Sequence, residues 1–139
     1  QGCRPATVRT PVLYVPQELS AADGRRLLDE LRKLDEHSLG ALMGIVARLG
    51  SAPERLLASG LPSPGELRKL MIALGALQQP ELVALDEPTN HLDLPATEAL
   101  ENALAECPCA LVLVSHDERF LQRLCSKRWQ LDGERLLQS

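Results

Sequence analysis

Asp86 and Glu87 stand side by side at the end of an apolar run, in the segment Leu82 to Asp93 that reads LVALDEPTNHLD. Four apolar residues lead into the two carboxylates, and Pro88 then turns the chain. An apolar strand that delivers acids at its carboxyl end is how α/β proteins place a metal-binding and water-activating pair. Asp86 is suited to hold magnesium, usually through water, with its charge offset by the cation. Glu87 is suited to orient or deprotonate a water attacking a terminal phosphoryl group. Burying both acids unpaired would be costly, so the pair needs a metal or a surface position. On local sequence alone, a solvated acidic loop explains the same residues.

Other residues join this chemistry at a distance. His116 follows the apolar run Ala110 to Val114 and is placed to donate a hydrogen bond to a terminal phosphate. A histidine satisfied by backbone at a strand end is its plain alternative. Gln17 follows Pro16 and could meet metal or attacking water, or be an ordinary loop residue. Ser63-Pro64-Gly65-Glu66 opens a helix, and a helix start presents backbone N–H groups to anions. Capping accounts for Ser63 equally well, as it does for Asp93 and Asp117 ahead of their own helices. No GxxxxGK[ST] phosphate loop occurs in the chain.

The elements that must position these residues follow from spacing. Val12 to Val15 reads as a short strand stopped by Pro16. Ser20 with Asp23 three residues later forms a capping pattern, and Leu27, Leu28, Leu31 and Leu34 continue it as a helix over about 21–35. A second helix is predicted over 39–49, ending at Gly50. Ser51 and Glu54 repeat the capping pattern before a short helix that stops at Gly60. The helix opened by Ser63 has Pro64 as a suitable first residue, Glu66 as reciprocal cap, and Leu67, Leu70, Met71, Leu74 and Leu77 as buried stripe. Leu82 to Leu85 and Ala110 to Val114 read as buried strands, with helices over about 95–106 and 117–124 after them. Arg128 to Leu131 and Arg135 to Leu137 flank Asp132-Gly133 as a hairpin. Strands alternating with helices give an α/β fold, and the strand-free stretch at 20–60 suggests a helical lobe.

Composition bounds the rest. The chain has 139 residues, enough for one domain, with 45% apolar content and only 2% aromatics, so aliphatic side chains must do the packing. A formal charge of −4 argues against a free-standing nucleic-acid binder. No apolar stretch approaches the ~18 residues of a transmembrane helix and no signal-peptide pattern opens the chain, which makes the cytoplasm the expected location. Cys107-Pro108-Cys109 lacks a second cysteine pair to complete a zinc site, and buried or incidental thiols are the simpler reading.

Several motifs in order carry a family resemblance over about residues 12–137. Leu82 to Glu87 resembles the Walker B segment and catalytic glutamate of the ATP-binding-cassette (ABC) ATPases, and Asn90-His91-Leu92-Asp93 resembles their D-loop. Tyr14-Val15-Pro16-Gln17 resembles the strand and Q-loop, Ser63-Pro64-Gly65-Glu66 the signature usually written LSGGQ, and Ser115-His116-Asp117 the H-loop. The form EPTNHLD is most like the ABC-F branch, soluble tandem ATPases without membrane domains, many of which act at the ribosome. The signature departs from the pattern: Pro62 replaces its leucine, Pro64 the first glycine and Glu66 the glutamine. Pro64 supplies no N–H to a phosphate, while Gly65 and the helix start still could.

The resemblance implies a partial P-loop NTPase core of ABC type with a helical signature subdomain. It divides the chain into 1–19, an opening strand and Q-loop, 20–80, the helical signature subdomain, and 81–139, the carboxyl-terminal part of the core. It implies ATP and Mg2+ as ligands, Glu87 and His116 as catalytic residues, Asp86 and Gln17 toward the metal, and Ser63, Gly65 and Asp93 toward nucleotide. The site would be composite, shared head to tail with a second ABC domain in the same polypeptide or in a homodimer, with the ribosome as a candidate target. The family's phosphate loop lies upstream of the Q-loop, and the chain starts sixteen residues before Gln17. The expectation is therefore a carboxyl-terminal fragment of an ABC-F-like ATPase, inactive in isolation. Two alternatives stand beside it: a non-enzymatic assembly or regulatory module, and the ATPase component of a membrane transporter.

Overall fold

The computed structural model describes residues 11–58, 62–132 and 135–138. In chain order its elements are β1 (Val12–Val15), α1 (Ala21–Arg32), α2 (Glu36–Arg48), α3 (Pro53–Ala58), α4 (Pro64–Leu77), β2 (Leu82–Asp86), α5 (Leu94–Glu106), β3 (Ala110–Val114), α6 (Glu118–Leu124), β4 (Trp129–Asp132) and β5 (Arg135–Gln138). The first three strands form a parallel sheet with β2 in the middle. Val15 pairs with Leu85, and Leu85 with Leu113, so the strands end nearly level and release their loops on one side. The last two strands form a separate antiparallel hairpin, whose turn lies outside the described residues.

Strand alternation decides which side chains are buried. Leu13, Val15, Val83, Leu85, Leu111 and Leu113 share one face and pack with Leu100, Leu104 and Phe120 from α5 and α6. The opposite face carries Val12, Tyr14, Val112 and Val114, all about half exposed. A second core joins Leu27 and Leu31 of α1, Leu42 and Val46 of α2, Leu56 of α3, and Leu70 and Ala73 of α4. The two cores meet on α4, which also gives Ile72 to the sheet side. Contact with β1 is close there: a Cβ on Gly75 would overlap a Leu13 methyl group.

Helix boundaries follow the caps. Ser20 and Asp23 make the expected reciprocal capping box of α1, and Ser63 and Glu66 make that of α4. The first helix ends at Arg32 rather than residue 35, because Asp35 takes an extended conformation and caps α2 through Ser38 N–H. The second helix consequently begins at Glu36, earlier than its apolar period suggests. Ser51 does not behave as the sequence pattern indicates: its hydroxyl accepts a bond from Lys69 Nζ at 3.0 Å. The proposed stop at Gly60 lies outside the described residues. Cys107 and Cys109 are joined in a disulfide with their Cα atoms 5.3 Å apart, which corrects the reading of both as thiols. Cys125 is a free thiol, and burial pushes its pKa up.

Candidate functional site

The ends of β2 and β3 bring Glu87 and His116 together. Glu87 N–H donates to the Val114 carbonyl at 2.7 Å, extending the strand pairing by one residue past Asp86. Glu87 then adopts φ +47°, a left-handed conformation uncommon for a residue with a side chain. That turn sends its carboxylate inward, where the residue is 6% exposed. Glu87 Oε1 lies 3.3 Å from His116 Nε2, and Oε2 accepts from His116 N–H at 3.4 Å. The imidazole itself is fully open to solvent, whereas the Glu87 side chain beside it is nearly buried.

Asp86 is half-buried at the strand end, on the sheet face opposite Leu85. Among the described residues no three His, Cys, Asp or Glu side chains gather into a metal cage. A single carboxylate at a strand end is chemically compatible with magnesium, which is commonly bound by one or two carboxylates together with water and substrate phosphates, where it neutralises charge on the phosphoryl oxygens.

The remaining candidates occupy neighbouring loops with different partners. Gln17 is exposed just beyond β1. Asp93 caps α5, its Oδ1 accepting Ala96 N–H at 2.9 Å and its carbonyl accepting the Thr97 hydroxyl at 3.0 Å. Ser63 is engaged as a cap, its Oγ accepting Glu66 N–H at 3.2 Å while Glu66 Oε2 accepts Ser63 N–H at 2.7 Å. Gly65 abuts the turn that leads to Asp93, since a Cβ there would fall 2.6 Å from the His91 carbonyl oxygen. His91 also has positive φ, +63°. Thus Glu87 and His116 are in contact, Gly65 lies against the 90–93 turn, and Ser63 is engaged with Glu66.

Arg68 is the residue that sequence reasoning missed. It is 2% exposed, one turn beyond Gly65 on α4. Its Nη1 donates to the Glu87 carbonyl at 2.9 Å and to that of Asp86 at 3.4 Å, and its Nη2 donates to the Gln17 carbonyl at 2.5 Å. Nε is buried without a partner. Burial pushes the guanidinium pKa down, and the carboxylates of Asp86 and Glu87 oppose that shift. The available signal was helical phase: Arg68, Ile72 and Gly75 lie on one face by i, i+4, i+7, so the cation falls in a buried row.

The chain resembles known proteins over most of its length. No protein-family model matches it. It is 38% identical over 125 residues to the ATP-binding protein Uup of Caulobacter vibrioides, covering 90% of this chain and 20% of that protein. It is 40% identical over 128 residues to the energy-dependent translational throttle protein EttA of Mycobacterium tuberculosis, covering 87% of this chain and 23% of the relative. Among solved structures, the ATP-binding subunit of an ABC transporter superposes with a TM-score of 0.75 at 25% identity, over 93% of this chain and 58% of that one. The fold makes the chain part of an α/β domain of P-loop NTPase type, with a helical subdomain beside its sheet. It belongs to the ABC ATPase family and is most like the ABC-F branch. The chain spans about one fifth of the length of these curated relatives.

Proposed function

We propose that the full-length protein carrying this chain binds and hydrolyses Mg-ATP at a head-to-tail interface between two ABC domains. The pairing of Glu87 with His116, beside Asp86 at the ends of adjacent parallel strands, is the observation that supports this most. In this reading Asp86 holds magnesium, with Gln17 near metal or attacking water. Glu87 takes a proton from that water, and His116 donates to the terminal phosphate. Ser63 and Gly65 face nucleotide bound to the opposite domain, and the Asn90–Asp93 turn links the two sites. Closure on ATP and opening after hydrolysis would make the pair a clamp. A cytoplasmic protein acting at the ribosome is the proposed setting, drawn from the ABC-F likeness and from the translational role in the name of the EttA relative. Residues 1–139 alone, without a phosphate loop of their own, should turn over little ATP. Calorimetry with Mg-ATP and a phosphate-release assay on the full-length protein test the reading. Magnesium-dependent turnover supports it, and a folded protein that neither binds nor hydrolyses ATP overturns it.

One observation favours a second reading, a non-enzymatic assembly module: Ser63 and Glu66 already satisfy each other, and Pro64 offers no N–H to an anion. Ser63→Ala separates the two. Loss of the cap costs about 0.5–2 kcal/mol of stability in either case. Weakened ATP-driven closure of folded domains, measured by distances between labels, supports the composite site; unaltered closure leaves Ser63 as a cap.

A further inference from the structure

The last register pair between β1 and β2 is Val15 with Leu85. Gln17 and Glu87 each lie two residues beyond it, where strand pairing no longer holds the two segments together. Arg68 bridges that gap, with one guanidinium nitrogen on the Gln17 carbonyl and the other on the carbonyls of Asp86 and Glu87. We infer that Arg68 is a positioning residue, which fixes the backbone of Gln17, Asp86 and Glu87 as one unit and couples it to the α4 end that opens with Ser63 and Gly65. The catalytic consequence rests on the ATPase reading above; the structural claim does not.

Several features distinguish this from ordinary packing. Arg68 has no carboxylate hydrogen bond among the described residues, and its fork is directed to main-chain oxygens of three candidate site residues. A planar guanidinium spans two diverging segments in a way that the single nitrogen of lysine does not. The unpartnered Nε is a cost that an apolar side chain would avoid. Gly65, three residues earlier, presses on the His91 carbonyl, so the first two turns of α4 touch the segments at 17, 86–87 and 91. A domain docking on Ser63 would therefore push on a helix already bonded to the backbone of Glu87. Displacing a catalytic group by about 1 Å can cost on the order of 100-fold in rate.

The test uses the full-length protein with Arg68→Lys, and Arg68→Gln as a second variant should the first not fold. Amide hydrogen exchange should accelerate at least tenfold at the paired end of β1, Tyr14–Val15, and at Glu87–Asn90 together, with α2 and α5 unchanged. Turnover at saturating Mg-ATP should fall at least tenfold while the dissociation constant for Mg-ATP changes less than threefold. In a Glu87→Gln background, under single-turnover conditions, Arg68→Lys should add less than a twofold further loss, because it acts through Glu87. Unchanged exchange in either segment, or losses that multiply in the double variant, overturns the inference. If the wild-type protein shows no turnover, the ATPase reading fails and the paired exchange response alone decides the role of Arg68.

Discussion

Gly65→Ala turns the contact between α4 and the 90–93 turn into a signed energy. A Cβ at Gly65 would meet the His91 carbonyl oxygen at 2.6 Å, and ordinary contact begins at 3.4 Å, so about 0.8 Å of relief is needed. Neither side gives way easily. Gly65 lies in the first turn of α4 between Pro64 and the Glu66 partner of the capping box. His91 sits at positive φ in a turn closed by Leu92 N–H on the Thr89 carbonyl. Overpacking of this kind costs about 1–3 kcal/mol. Replacing a helical glycine by alanine otherwise returns up to about 1 kcal/mol. Taking the full helical gain, the net expectation is destabilisation by about 0–2 kcal/mol in urea unfolding of the full-length protein. Gly44→Ala is the internal control, because it lies within α2 with nothing inside 4 Å of its Cβ position. It should stabilise by about 0.5–1 kcal/mol. If Gly65→Ala stabilises as Gly44→Ala does, the close approach to His91 is refuted.

Arg123→Ala should destabilise by about 2–3 kcal/mol, since it strands the 3% exposed Glu101 carboxylate that Arg123 Nη1 meets at 2.8 Å. Thermal unfolding should recover much of that loss in the double variant with Glu101→Gln, and full additivity would show the pair is not coupled. The Asp35 pKa is lowered from 3.8 by the hydrogen bond from Ser38 N–H, so its contribution is complete above the unfolded value and disappears as pH falls through the lower folded value. Asp35→Asn keeps a capping oxygen without the titration, and should flatten the decline of stability below about pH 4; an unchanged slope in acid titrations followed by circular dichroism would locate that dependence elsewhere.

The elements that position the site were legible because their signals are local. Apolar runs of strand length ending in Asp86 and before His116, and capping residues at Ser20, Ser63, Asp93 and Asp117, all act within a few residues of chain. Asp35 was less legible: an apolar period places the helix start later, whereas the start is decided by which residue can accept Ser38 N–H. Ser51 matched a capping pattern, yet Lys69, eighteen residues away, takes its hydroxyl. Arg68 was invisible for a related reason. Hydropathy scores a cation as surface, and only the tertiary placement of three carbonyls reveals why one is buried at that point on α4. Nor does the run DEP announce that Glu87 will take positive φ where its N–H pairs with the Val114 carbonyl. Family resemblance supplied roles for these residues, and geometry supplied their neighbours.

In the proposed reaction Glu87, held against His116, activates the water that attacks ATP. Single-turnover hydrolysis by the full-length protein with Glu87→Gln, beside wild type at matched Mg-ATP occupancy, tests it most directly. The amide preserves shape and some hydrogen bonding but cannot act as the same base, so the rate should fall on the order of 100-fold or more while ATP binding changes little. A hydrolysis rate equal to wild type, with ATP bound as before, would contradict it.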